Sequence, residues 1–224
     1  MEPAGQMGKK DTVLFDLDGT LTDPMIGITK SVQYALKKQG MIEENLWNLT
    51  KFIGPPLKES FMKFYGMSEE RAKMAVEDYR EYFSPTGIFE NVVYDGMEEM
   101  LTKLKKEGMT LCVATSKPEE FAKRILEHFH LEKYFDFVGG ALMDGRTNKA
   151  EVIAYVLSEI KAEKKRTVMV GDREHDILGA KKNEIDSIGI LYGYGDKEEL
   201  QNAGANLIVK DVEALKNLLC ELMK

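Results

Sequence analysis

Cysteine is nearly absent from this sequence. Cys112 and Cys220 are the two thiols in 224 residues, and they lie far apart along the chain. That scarcity excludes a disulfide-stapled scaffold, and nothing here demands an oxidising compartment. Cys112 sits in the apolar run Leu111-Cys112-Val113-Ala114, where a buried, inert thiol is expected. Long hydrophobic runs are missing as well. No stretch approaches the roughly 18–20 apolar residues needed to span a bilayer. The first ten residues, MEPAGQMGKK, lack the apolar centre of a secretory signal. They read as a flexible leader with Met7 as an alternative start, and a cytoplasmic location is the expectation. Positive charge is also short, with 31 Lys and Arg against 38 Asp and Glu and a net charge of −7. Nucleic-acid binders need clustered cations to displace counterions from phosphates, so no polymer partner is expected. A small phosphorylated substrate needs only a local positive pocket and remains open.

What is present is an ordinary globular composition, 43% hydrophobic and 31% charged. The length suits one domain carrying a smaller insertion, acting as a monomer or weak dimer. Short apolar runs alternate with amphipathic segments, which predicts an α/β fold on a parallel sheet. The expected strands cover residues 12–16, 110–115, 137–139, 167–171, 187–191 and 207–209. Helices are expected over 97–107, 119–128, 149–160, 176–183 and 212–223. In the first of these, Met97, Met100, Leu101 and Leu104 recur at three and four, and Gly108 ends the run.

Residues 22–89 break the alternation. They carry helical patterning over 25–39, 57–65 and 68–83, punctuated by Gly40, Gly54-Pro55-Pro56 and Ser84-Pro85. One helix normally joins parallel neighbours, so an insert of this size is expected to be a separate helical cap. The division is then a catalytic core of residues 1–21 and 90–224 and a cap of residues 22–89. Charge within the insert balances: nine basic residues against nine acidic ones, leaving the acidic excess to the core.

Four stretches carry chemistry. In Val13-Leu14-Phe15-Asp16-Leu17-Asp18-Gly19-Thr20 an apolar strand delivers two carboxylates and then a glycine turn. Catalytic groups gather beyond the carboxyl ends of strands in open α/β sheets. One carboxylate there can attack phosphorus while the other exchanges a proton with the leaving oxygen. In the second, Leu111 to Pro118, a strand ends in the hydroxyls of Thr115 and Ser116, placed to donate to a phosphate. Lys149 opens a helix against the preference of the helix dipole, which points to a task such as pairing with the nucleophile and a phosphate. Last, Val168-Met169-Val170-Gly171-Asp172 ends a strand in a carboxylate, and Asp176 follows four residues later. With Asp16 these make an oxygen-rich site suited to Mg²⁺. His175 between them reads as a packing or surface residue.

Together these residues resemble the four-motif pattern of the haloacid-dehalogenase-like hydrolases, over residues 12–210. Asp16–Leu21 is similar to the DxDGT motif, Thr115 to the hydroxyl motif, Lys149 to the lysine motif and Gly171–Asp176 to GDxxxD. The insert, with Phe52-Ile53-Gly54-Pro55-Pro56-Leu57, looks like the small helical cap of the phosphoglycolate-phosphatase and 5′-nucleotidase-like branch. The resemblance implies a phosphatase of small monoesters working through an aspartyl-phosphate. Asp16 would be the nucleophile and Asp18 the acid and then base. Asp16 and Asp172 would ligate Mg²⁺ by side chains and Asp18 by its carbonyl, with Asp176 acting on the metal directly or through water. Thr115 and Lys149 would hold phosphoryl oxygens. Lys51, just before the cap turn, is the candidate for a second anionic group on the substrate. A phosphomutase of the same branch and a non-catalytic binding protein are the alternatives.

Overall fold

The computed structural model describes residues 7–142 and 145–224. The chain divides into two compact units, one of the residues up to Thr22 together with Val93–Lys224, the other Asp23–Val92. It opens on β1 (Thr12–Phe15), then passes through β2 (Thr22–Asp23) into α1 (Met25–Lys38), α2 (Leu57–Tyr65) and α3 (Glu69–Phe83). It returns on β3 (Val92–Val93), which pairs with β2. There follow α4 (Met97–Lys106), β4 (Thr110–Pro118), α5 (Glu119–His128), β5 (Phe137–Ala141) and α6 (Lys149–Glu159). The remainder is β6 (Thr167–Gly171), α7 (Glu174–Lys182), β7 (Asp186–Ile190), α8 (Lys197–Ala203), β8 (Leu207–Val209) and α9 (Val212–Leu222).

The first unit is the expected α/β fold. Its six strands run in the order β5-β4-β1-β6-β7-β8, every pairing parallel. Val13, Leu14 and Phe15 are fully buried, as are Val168, Met169 and Val170, because helices cover both faces of a parallel sheet. Under α6, Val152, Ile153, Val156 and Leu157 pack on Leu14, Cys112, Ala114 and Met169. Each buried Val, Ile, Leu or Met among them contributes about 1.5–3 kcal/mol by leaving water. The same burial pushes the Cys112 thiol up to about 12, with nearby Asp136 adding to it. From β1 the chain builds outward first on one side and then, from β6, on the other. The crevice beyond the carboxyl ends of β1, β4 and β6 is therefore a topological switch point, where such sheets bind ligands.

Several elements differ from the sequence expectation. β4 does not stop at Thr115 but runs on to Pro118, with a register shift against β5 between Ala114 and Pro118. α7 starts at Glu174 rather than at 176, because Asp176 is used in its first turn as a cap: its Oδ2 accepts from the Arg173 N–H at 3.1 Å. α8 was not expected at all. Asp196 caps it by accepting from the Glu199 N–H.

The second unit is helical. Gly27 lets α1 approach residue 87 so closely that an added Cβ would lie 1.9 Å from the Gly87 carbonyl oxygen. A 3-10 helix over Leu46–Phe52, also unexpected, is capped by Asn45 and seats Phe52 against Phe61 and Phe64. Among the described residues no helix is long and apolar enough to cross a membrane.

Candidate active site

Asp16 is the first residue past β1, and its N–H donates to the Val170 carbonyl of β6 at 2.9 Å, so two neighbouring strands fix its position. Its Oδ1 accepts from the Leu17 N–H at 2.7 Å and lies 2.7 Å from Lys149 Nζ. Lys149 is the first residue of α6, whose start is held by a capping box between Asn148 and Glu151. Only 5% exposed, its ammonium also reaches Asp176 Oδ1 at 2.8 Å and donates to the Ala114 carbonyl at 3.2 Å. Burial works against that charge, but Asp16 and Asp176 outweigh it and hold the pKa above the ordinary lysine range. The misfit with the helix dipole is thus resolved by two buried carboxylates.

Asp172 follows β6. Its Oδ2 accepts from the Tyr194 N–H at 2.8 Å, and its Oδ1 meets the Thr20 hydroxyl at 3.4 Å. Burial first, then Asp176 and Asp16, push its carboxyl well above the usual range. Burial raises Asp176 to about 6 despite Lys149 pulling the other way, with Asp16 adding to the rise. Asp16, Asp172 and Asp176 each bring a carboxylate oxygen within 4.8 Å of the others, all three buried. Asp176 Oδ1 touches the ammonium outside hydrogen-bond geometry and has no hydrogen-bond partner. A buried cluster of three carboxylates against one ammonium has oxygen ligands and negative charge in excess. That donor set fits a hard divalent cation such as Mg²⁺.

Asp18 is paired with a residue the sequence did not single out: Lys117 Nζ lies 2.6 Å from its Oδ2, and both side chains are largely buried. Burial raises the Asp18 pKa, Lys117 pulls it back, and the net direction is upward. Thr115 is buried, and its Oγ1 accepts from the Lys117 N–H at 3.2 Å, which leaves the hydroxyl proton to donate. Ser116 is half-buried beside it, and His175 is half-buried on α7. Lys51 belongs to the helical unit, exposed at the end of the 3-10 helix, with its ammonium 4.8 Å from the Phe64 ring centroid and 5.4 Å from that of Tyr65.

The model of the haloacid dehalogenase-like hydrolases matches residues 13–190. The chain belongs to that family. A 5′-nucleotidase of Pseudomonas aeruginosa is 47% identical over 208 residues, 92% of this chain and 94% of that one. The tyrosine-protein kinase PtkA of Mycobacterium tuberculosis is 38% identical over 197 residues, 88% of this chain and 67% of that one. A crystal structure described as a predicted phosphatase from Clostridium acetobutylicum superposes with a TM-score of 0.92 at 51% identity, covering 96% of this chain and all of the other.

In this hydrolase the loop after β7 supports the acidic cluster without announcing itself in sequence. Gly193 and Gly195 pack so closely that an added Cβ would lie 2.4 Å from Asp172 Cβ and 1.9 Å from its carbonyl oxygen, respectively. Gly19, with φ of +82°, closes on Asp172 from the other side. The Tyr192 hydroxyl donates to the Thr20 carbonyl at 3.1 Å and ties this loop to the turn after β1. The visible signal is the Gly193-Tyr194-Gly195 triplet, separated from β7 by two residues.

Proposed function

We propose that this hydrolase is a magnesium-dependent phosphatase of small phosphate monoesters, phosphoglycolate-like or nucleoside monophosphates. The observation that carries the reading is Lys149, whose buried ammonium clamps one oxygen of Asp16 between itself and the Leu17 N–H. The other oxygen, Oδ2, is the attacking atom. It forms its bond to phosphorus as the bond to the leaving oxygen breaks, and Asp18 gives its proton to that oxygen. Asp18 then takes a proton from water as the water oxygen attacks phosphorus, the Asp16–phosphorus bond breaks, and inorganic phosphate leaves. Thr115, Ser116 and Lys149 hold the phosphoryl oxygens through this exchange.

The carboxylates of Asp16, Asp172 and Asp176 and the carbonyl of Asp18 would hold Mg²⁺. When bound, the ion neutralises charge on the phosphoryl oxygens. The 47% identity to a 5′-nucleotidase supports the nucleotide class; the cap-motif resemblance supports the phosphoglycolate class. The test is phosphate release across a panel of monoesters, with Mg²⁺ and after chelation. Turnover should need the metal, and activity surviving exhaustive chelation would contradict the reading.

A further inference from the structure

We propose that Lys117 is a positioning residue that fixes which oxygen of Asp18 meets the reacting group. The proposal rests on the phosphatase reading above. Lys117 is not a surface lysine. It stands on the irregular end of β4, held by its own N–H on Thr115 Oγ1 and followed by Pro118, which pairs with Ala141. The side chain is buried, with the ammonium 2.6 Å from Asp18 Oδ2. An ammonium has three donors and no acceptor, so it occupies Oδ2 whether or not Asp18 carries a proton. Oδ1 is then the oxygen left for a new bond. That atom is buried without any hydrogen-bond partner, an arrangement that folded proteins keep where a ligand supplies the missing contact. The departing oxygen of the substrate, and after it the attacking water, are the partners this geometry calls for.

Without Lys117 the Asp18 carboxyl rotates, and proton transfer suffers more than phosphate binding. The experiment compares two substrates without a second anion. Propyl phosphate has a leaving oxygen that must receive a proton, whereas p-nitrophenyl phosphate releases a stabilised anion. In Lys117→Met, kcat/KM, which reports the first phosphoryl transfer, should fall roughly tenfold further on propyl phosphate than on p-nitrophenyl phosphate, within the range that proton transfer supplies. KM for both should move little, and Lys117→Arg should recover part of the propyl phosphate rate. In an Asp18→Asn background, Lys117→Met should leave the ratio between the two substrates unchanged. Circular dichroism confirms folding; if the Met variant does not fold, Lys117→Gln carries the same comparison. Equal losses on both substrates, a loss lying in KM, or a further change of the ratio in the Asp18→Asn background would each overturn the proposal while leaving the phosphatase reading intact. A wild-type enzyme inert toward every monoester would overturn both.

Discussion

In the helical unit, Lys38 reaches Asp78 at 2.7 Å and Glu81 at 2.8 Å, and Lys58 and Lys73 share Glu69 at 3.1 and 3.2 Å. In the sheet unit, Lys149 reaches Asp16 and Asp176 at nearly the same distances, 2.7 and 2.8 Å. Distance does not separate the two sets; water does. Every lysine of the first set is more than a third exposed, so solvent screens its pairs and the flexible side chains offset what attraction remains. The Lys149 side chain and its partners are 8% exposed or less, and removing one partner there strands a charge with nothing to solvate it. The nine-against-nine charge balance of the insert is surface chemistry, while the acidic excess of the core is concentrated chemistry.

Three substitutions or conditions probe that contrast. The largest effect should come from Lys149→Met. It leaves Asp16, Asp172 and Asp176 facing one another without a cation, a loss of about 3–5 kcal/mol for a broken buried pair. Urea unfolding of metal-free protein at neutral pH measures it, and turnover should vanish with it. An unchanged unfolding midpoint would erase the distinction between the two kinds of ion pair.

A smaller effect concerns pH. Asp176 is raised to about 6 in the fold and sits near 3.8 when unfolded. The folded state therefore binds the proton more tightly, so this group costs nothing below about pH 4 and destabilises progressively as pH rises to about 6. Mg²⁺ needs the ionised form, so its stabilisation of the protein should be weak at pH 5 and full above pH 6 to 7. Thermal melts with and without Mg²⁺ across that range test it; a metal effect independent of pH would contradict the cluster as ligand. The smallest effect should be Lys38→Ala. Its urea midpoint should be indistinguishable from wild type, and a clear shift would mean that the helical unit uses its charges as the core does.

The same contrast explains what the sequence could disclose. Asp16 and Asp172 were legible because each ends a wholly apolar run, and a strand buried on both faces has few other uses for a carboxylate. Lys149 was legible as an anomaly, a cation at the wrong end of a helix. The parallel sheet followed from the spacing of short runs, and four of its six strands lie within a residue of expectation at each end, β4 extending to Pro118 and β5 to Ala141.

Lys117 was not legible. A lysine before a helix-starting proline reads as solvated, whereas here it is buried and paired with Asp18, a residue 99 positions away in sequence, which has no local signature. Gly193 and Gly195 escaped for a similar reason, since their reason for being glycine is Asp172, distant in sequence. α8 is a seven-residue helix, too short for periodicity to reveal, although Asp196 followed by Glu198 and Glu199 carried a capping signal. The 3-10 helix that holds Lys51 was hidden because it is seven residues long, and Leu49 and Phe52, buried at i and i+3, are too few to mark a helical period.

The central claim is that Asp16 itself accepts the phosphoryl group. In Asp18→Asn the base that would release it is gone, so a covalent intermediate should accumulate. Acid quenching after mixing with Mg²⁺ and p-nitrophenyl phosphate, whose leaving group needs no proton from Asp18, followed by peptide mass analysis, reads it directly. The account predicts one added phosphoryl group on the peptide containing Asp16, absent when Asp16→Asn is combined with Asp18→Asn. Wild-type-like phosphate release by Asp16→Asn, with no phosphorylated peptide in any variant, would contradict it.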